Sequence, residues 1–199
     1  LQYPALPMDG MEPPQNVADA LLNCDVAILI TSHSLTHTRA RHAASEAGVR
    51  IASLPGFTAE MLKAPMMVDY DEMTALSQKM ASLLTKAQTA RVTTPHGCDF
   101  TMSLSGRVAE DDCGIYDTPG AFGNLPAGEA YIAPLEGTAN GILVYDASMS
   151  GVGLLREPIR VTVKNGEAVE ITGGIEAKQL LALVDEAGRP CRNIAELGI

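Results

Sequence analysis

The sequence predicts an α/β chain in two parts, a parallel-sheet part first and then a β-rich part with hairpins and one C-terminal helix. Three observations predict it. Asp25-Val-Ala-Ile-Leu-Ile-Thr31 is a continuous apolar run of strand length, the pattern of a strand buried on both faces of a parallel sheet. Asn165-Gly166 stands between two alternating segments, the strongest short hairpin signal. Between these two features the composition shifts: 13 of the 18 glycines fall between Gly97 and Gly174, whereas seven of the nine methionines lie before residue 81. The division is drawn as an α/β part over residues 1–90 and a β-rich part over residues 91–199.

The elements follow in order. Pro13-Pro14 opens a short amphipathic helix around Val17 to Leu22, since proline suits a helix start. The strand at 25–31 comes next. Ala40, Ala43, Ala44 and Ala47 then recur at helical spacing, with Arg39, Arg41, His42 and Glu46 off that stripe and Gly48 as a left-handed stop. Val49 to Leu54 is a second strand closed by Pro55-Gly56, so residues 25–54 form a Rossmann-like βαβ unit. A longer helix carries Met73, Leu76, Met80, Leu83, Leu84 and Ala87 on one stripe as core filling. In the second part, Arg91-Val-Thr-Thr and Phe100-Thr-Met-Ser-Leu flank a turn at His96-Gly97, and Ile159 to Lys164 pairs with Glu167 to Ile171. The C-terminal helix presents Ala177, Leu180, Leu181 and Val184, and Asn193 to Ile199 returns as a strand.

Composition narrows the function. Fourteen Lys and Arg against 24 Asp and Glu leave a net charge of −10, the wrong sign for a protein that tracks phosphates, so no nucleic-acid partner is expected. No apolar run approaches the roughly 20 residues of a membrane span, and no signal segment opens the chain; a soluble, cytoplasmic protein is expected. Cys24, Cys98, Cys113 and Cys191 are scattered without a C-x-x-C pair and are read as reduced thiols.

Three residues stand out as chemistry. The turn Thr31-Ser-His-Ser-Leu-Thr-His-Thr38 follows the first strand, where open α/β sheets bind ligands. It lacks the glycine patterns of dinucleotide and phosphate loops. Its hydroxyls serve either as caps or, with His33 and His37, as a pocket at a helix N-terminus able to hold a carboxylate or polar substrate; His37 is the candidate acid/base. Glu129 lies in an apolar and small-residue stretch, Gly123-Asn-Leu-Pro-Ala-Gly-Glu-Ala-Tyr-Ile-Ala-Pro134, and Glu196 in Ile194-Ala-Glu-Leu-Gly198. A carboxylate in such a strand is costly unless paired, protonated or metal-bound, so both are candidate ligands of a divalent metal, with an exposed edge-strand acid as the alternative. Glu136, Asp146 and His96 read as turn residues. Ser148-Met-Ser-Gly151 has the wrong spacing for a serine hydrolase elbow.

Taken together, Ser34-Leu-Thr-His-Thr-Arg-Ala-Arg41, Arg50-Ile-Ala-Ser-Leu-Pro-Gly56, Arg91-Val-Thr-Thr-Pro95, Gly123-Asn-Leu-Pro-Ala-Gly-Glu129, Ala133-Pro-Leu-Glu-Gly-Thr-Ala-Asn-Gly141 and Asn193-Ile-Ala-Glu-Leu-Gly-Ile199 resemble the thermophilic metalloaminopeptidase family of the aminopeptidase T type. That family shares a superfamily with the 2,5-dihydroxypyridine dioxygenases. The resemblance implies a metal-dependent hydrolase that removes N-terminal residues from peptides. Glu129 and Glu196 would ligate zinc, cobalt or manganese in a homodimer. The alternative it carries is a non-haem Fe(II) ring-cleaving dioxygenase acting on a small molecule, with His37 as acid/base, and a third reading is a non-catalytic scaffold. All four histidines lie at or before residue 96, so the later histidine ligands of the family pattern have no counterpart here. Leu1 and Ile199 are accordingly read as the cut edges of a longer chain.

Overall fold

The structure is a computed structural model that describes residues 1–63 and 66–199. Its first elements are α1 (Gln15–Leu22), β1 (Val26–Thr31), α2 (Arg39–Glu46), β2 (Arg50–Pro55), α3 (Ala59–Lys63), α4 (Tyr70–Lys86), β3 (Thr89–Thr93), β4 (Asp99–Ser103), β5 (Glu110–Asp112) and β6 (Phe122–Asn124). There follow β7 (Glu129–Ile132), β8 (Asn140–Tyr145), β9 (Ser148–Met149), β10 (Gly153–Leu154), β11 (Ile159–Lys164), β12 (Glu167–Thr172), α5 (Ile175–Ala187), a 3-10 turn at Arg189–Arg192 and β13 (Leu197–Gly198). They fall into two units, Leu1–Lys79 with Asp111–Ala130, and Met80–Glu110 with Tyr131–Ile199. This is the α/β class the sequence predicts, with a parallel sheet, a β-rich part and a C-terminal helix. No helix among the described residues is long and apolar enough to cross a membrane, and all four cysteines are free.

The first unit is built on a parallel sheet in the order β1-β2-β6. Val26 pairs with Arg50 and Thr31 with Pro55, and Ser53 pairs with Asn124. Residues 111–130, which the compositional boundary assigns to the β-rich part, therefore return to this sheet through β6. Leu21 of α1 and Ala44 of α2 pack with Ala27, Leu29, Leu35, Val49 and Ile51 into one core. The apolar run is strand β1, but it is buried on one face only. Ala27 and Leu29 are covered, while Val26, Ile28 and Ile30 are 48%, 64% and 63% exposed, because both helices of the cluster pack on the Ala27–Leu29 side.

Two helical stripes also differ from expectation. In α2 the buried residues are Arg41 and Ala44, and Ala43 and Ala47 are exposed. The Arg41 stem turns inward so that its guanidinium lies over the Phe122 ring, 4.0 Å from its centroid. In α4 the buried positions are Ser77, Ala81 and Leu84, while Leu76 and Leu83 face solvent. Leu84 of the expected stripe is buried and Met73, Met80 and Ala87 are half-buried, so the covered side overlaps that stripe and is shifted toward the small residues Ser77 and Ala81.

The second unit holds an antiparallel sheet in the order β12-β11-β8-β4-β3. Strands β11 and β12 meet at Asn165-Gly166, whose φ angles of 51° and 81° are the pair of positive values a type I′ hairpin turn requires. Strands β3 and β4 pair from Thr89 with Ser103 to Thr93 with Asp99. Phe100 and Met102 of β4 and Ile159, Val161 and Val163 of β11 are buried, alternate residues of each of these two strands, as a half-buried antiparallel sheet demands. The predicted closing strand shortens to Leu197–Gly198, which pairs with Ile132 and Tyr131 of β7. The residues before it are wound into the 3-10 turn, and Asn193 and Ile194 are held instead on the β11–β12 hairpin, by a bridge to Glu167 and a hydrogen bond to Gly166 O at 2.8 Å.

Candidate functional site

In the first unit the segment after β1 lies at the carboxyl ends of three parallel strands, with Ser53 on β2 and Asn124 on β6 beside it. Leu35–Thr38 is a tight turn, closed by Thr38 N donating to Leu35 O at 3.1 Å. Thr38 caps α2: its Oγ1 donates to Leu35 O at 2.7 Å and accepts from Arg41 N at 3.2 Å. The Thr36 hydroxyl lies 3.1 Å from Ser53 Oγ and donates to Asn124 Oδ1 at 3.4 Å. Thr36 N donates to Ser34 Oγ at 3.1 Å, and Thr36 O accepts from Arg41 Nε at 2.7 Å. His37 sits between these two threonines and is exposed. His33, by contrast, is half-buried, and its Nδ1 lies 3.3 Å from Asp9 Oδ1, which also accepts Ser34 N at 2.6 Å.

The network continues on the β6 side. Asn124 N donates to Asp112 Oδ2 at 3.2 Å, and Tyr116 Oη lies 2.7 Å from both Asp112 Oδ1 and Asn124 O. Burial, reinforced by the Asp112 carboxylate, pushes the Tyr116 phenol well above its usual range, so it stays a neutral donor throughout the working pH range. Gly123 is required beneath it, because a Cβ there would come within 2.3 Å of Tyr116 Oη.

The N-terminus of α2 does not serve as a carboxylate site for a ligand, because the chain fills it. Glu12 accepts from Arg39 N at 2.7 Å, Ala40 N at 3.2 Å and Arg39 Nε at 3.3 Å, and Thr38 Oγ1 takes the next amide. An anion at a helix N-terminus is favoured, and this one is supplied by the segment before α1, 27 positions ahead of Arg39. The hydrogen bond from Arg39 N, with that from Ala40 N, holds the Glu12 carboxyl below the usual glutamate range. A depressed folded-state pKa stabilises the fold above the unfolded value, and that contribution is lost as pH falls through the folded value. In urea melts, Glu12→Gln is therefore expected to be less stable than the parent at pH 7, with the gap closing at pH 3; a gap independent of pH would show that the carboxylate charge is not what holds the helix end.

The two strand glutamates are both exposed. The burial cost inferred from their apolar neighbours does not arise, because alternate residues such as Ala130 and Ile132 go inward instead. Glu129 opens β7 and has the parity of Tyr131. Glu196 precedes β13 in the second unit and lies among the residues lining a cavity of about 390 Å³, whose walls are mostly apolar side chains of the sheet and α5. A zinc or non-haem iron centre takes three or more protein donors. Among the described residues no three His, Cys, Asp or Glu side chains come together to hold a metal ion, so these residues do not by themselves make up a metal site.

Sequence reasoning missed Thr36, Ser53, Asn124 and Arg41 as parts of one assembly. It also set His96 and Asp146 apart as turn residues, whereas His96 Nδ1 pairs with the Asp146 carboxylate in the second unit. Glu136 pairs with Arg107. Apart from the Arg41–Thr36 contact, five residues apart, these partners are distant in sequence, so no local pattern could have shown them.

Comparison with known proteins adds the following. A model of the 2,5-dihydroxypyridine 5,6-dioxygenase family matches residues 6–196. The 2,5-dihydroxypyridine 5,6-dioxygenase of Pseudomonas putida KT2440 is 27% identical over 156 residues, 77% of this chain and 44% of that protein. The solved structure of the 2,5-dihydroxypyridine dioxygenase from the same organism superposes with a TM-score of 0.73 at 25% identity, over 92% of this chain and 53% of its own. Wild-type AmpT from Thermus thermophilus has a TM-score of 0.61 at 15% identity, over 93% of this chain and 57% of its own, a likeness of fold alone. The chain thus spans about half the length of these relatives. The family match overturns the expected metalloaminopeptidase: the match over residues 6–196 is to the dioxygenase family, whereas the likeness to AmpT is one of fold.

Proposed function

Because the chain belongs to the 2,5-dihydroxypyridine 5,6-dioxygenase family, we propose that it is the part of a ring-opening dioxygenase that handles the substrate's proton. The carrying observation is the family match over residues 6–196, and the placement of an exposed His37 between two anchored threonines supports it. A hydroxylated pyridine becomes more electron-rich when a ring hydroxyl loses its proton, which favours attack on O₂. An imidazole at the carboxyl ends of the sheet strands is suited to accept that proton, since histidine exchanges protons near neutral pH.

Fe(II) is the divalent metal of this reading; Glu129 belongs to the first unit and Glu196 to the second, and the two are not assigned to one site. The test is oxygen uptake by the intact protein with Fe(II) and 2,5-dihydroxypyridine. Substrate-dependent uptake, lost on dialysis against a chelator and restored by Fe(II), is expected. Intact, metal-supplied protein that consumes no oxygen with this substrate overturns the reading.

A further inference from the structure

Of the four turn residues Leu35–Thr38, only His37 is exposed. Its flanks are held from three separate directions. Thr36, 8% exposed, reaches Ser53 on β2 and Asn124 on β6 through its hydroxyl, while Thr38, fully buried, closes the turn and caps α2. The third hold is Arg41. Its guanidinium donates through Nε to Thr36 O at 2.7 Å, approaches His42 Nε2 at 2.8 Å and Ser45 Oγ at 3.5 Å, and stacks on Phe122. Arg41 is only 6% exposed, and its partners among the described residues are a carbonyl, an imidazole, a hydroxyl and an aromatic face, with no carboxylate.

A guanidinium buried without a countercharge is costly; an arginine whose only task was to fill space under the turn would be replaced at lower cost by an apolar side chain. What this arginine adds is a directed hydrogen bond to the carbonyl immediately before His37. Thr36 likewise spends a buried hydroxyl on two strands rather than filling the same volume with a valine. Both expenditures converge on the peptide that aims the imidazole.

We infer that Thr36 and Arg41 are positioning residues for His37, locking the turn so that the imidazole is presented in one orientation at the strand ends. The inference rests on the reading of His37 as the proton-handling group. Misplacing a reacting group by about 1 Å costs on the order of 100-fold in rate, so a clamp on both sides of the residue has a kinetic consequence that simple folding does not.

The test compares Thr36→Val, Thr36→Ser and Arg41→Lys in the intact protein, each also combined with His37→Ala. Thr36→Val removes the hydroxyl at constant volume, and Arg41→Lys keeps the charge while losing the planar Nε donor. Each is expected to lower kcat by about 10- to 100-fold with KM changed less than about twofold, and Thr36→Ser to recover most of the rate. In the His37→Ala background the same substitutions are expected to change the residual rate by less than about twofold, because residues acting through one group are non-additive. Equal losses in both backgrounds would mean a structural role and overturn the inference, as would full activity in Thr36→Val and Arg41→Lys. Amide relaxation of residues 36–38 reads the same question without turnover. A lower order parameter at His37 in both variants is expected, and unchanged order overturns the clamp. Should the parent consume no oxygen, the dioxygenase reading falls while the relaxation result still decides whether the turn is clamped.

Discussion

His37→Ala is expected to lower kcat for dihydroxypyridine-dependent oxygen uptake by about 10²- to 10⁴-fold, the usual contribution of a positioned general base. The size follows from how the neighbouring polar groups among the described residues are engaged: His42 Nε2 lies 2.8 Å from Arg41 Nη2. His33 is turned toward Asp9, Tyr116 is held as a neutral phenol, and the hydroxyls of Thr36 and Thr38 are committed to the turn. Water could still accept the proton, which is why the loss is finite. His96→Ala serves as the comparison, because His96 belongs to the second unit and is paired with Asp146; it is expected to keep the parent rate. Steady-state kinetics of the two variants in the intact, Fe(II)-supplied protein check this. A rate for His37→Ala within about twofold of the parent would remove His37 from the mechanism.

The largest expected effect on stability comes from Gly141→Ala. Gly141 lies in β8 opposite Phe100 with φ of +124°, and a Cβ there would come within 2.2 Å of Asp99 O and 2.9 Å of Phe100 Cα. Both neighbours are main chain of the adjoining strand, so neither can swing aside as a side chain would. Forcing the methyl in separates β8 from β4 at the point where Phe100, 1% exposed, anchors the core of the second unit. A strained backbone of this kind costs about 1–3 kcal/mol, and overpacking a further 1–3 kcal/mol, giving about 2–6 kcal/mol in all. Urea unfolding followed by circular dichroism is expected to show the midpoint falling with the slope retained. An unchanged midpoint would mean that the β4–β8 approach relaxes freely.

Much of the fold was legible because its signals are local. The βαβ unit followed from one apolar run, a helix rich in alanine and a glycine stop, and each of these acts within a few residues. The Asn165-Gly166 hairpin was legible for the same reason, since positive φ at two adjacent positions is a property of those residues. The order of the motifs pointed to the dioxygenase as an alternative, but to the aminopeptidase first. A likeness of fold extends to AmpT, and only the match over residues 6–196 pointed to the dioxygenase family.

Burial was where local pattern misled. Val26, Ile28 and Ile30 have the composition of a doubly covered strand, yet whether a face is covered depends on which elements pack there, and the strand itself carries no record of that. Arg41 was placed on the outer face of its helix by polarity alone. Its actual position depends on Phe122, 81 residues further on (122 − 41), which supplies the ring it stacks on.

By itself, then, the sequence determined the α/β class, the βαβ unit, the principal hairpins and His37 as a candidate, all consequences of periodicity, turn chemistry and residue type over short spans. Only the tertiary structure decided what surrounds that histidine. Thr36 meets Ser53 across 17 positions and Asn124 across 88, and hydrogen bonds between residues so far apart exist only once three parallel strands have been brought side by side.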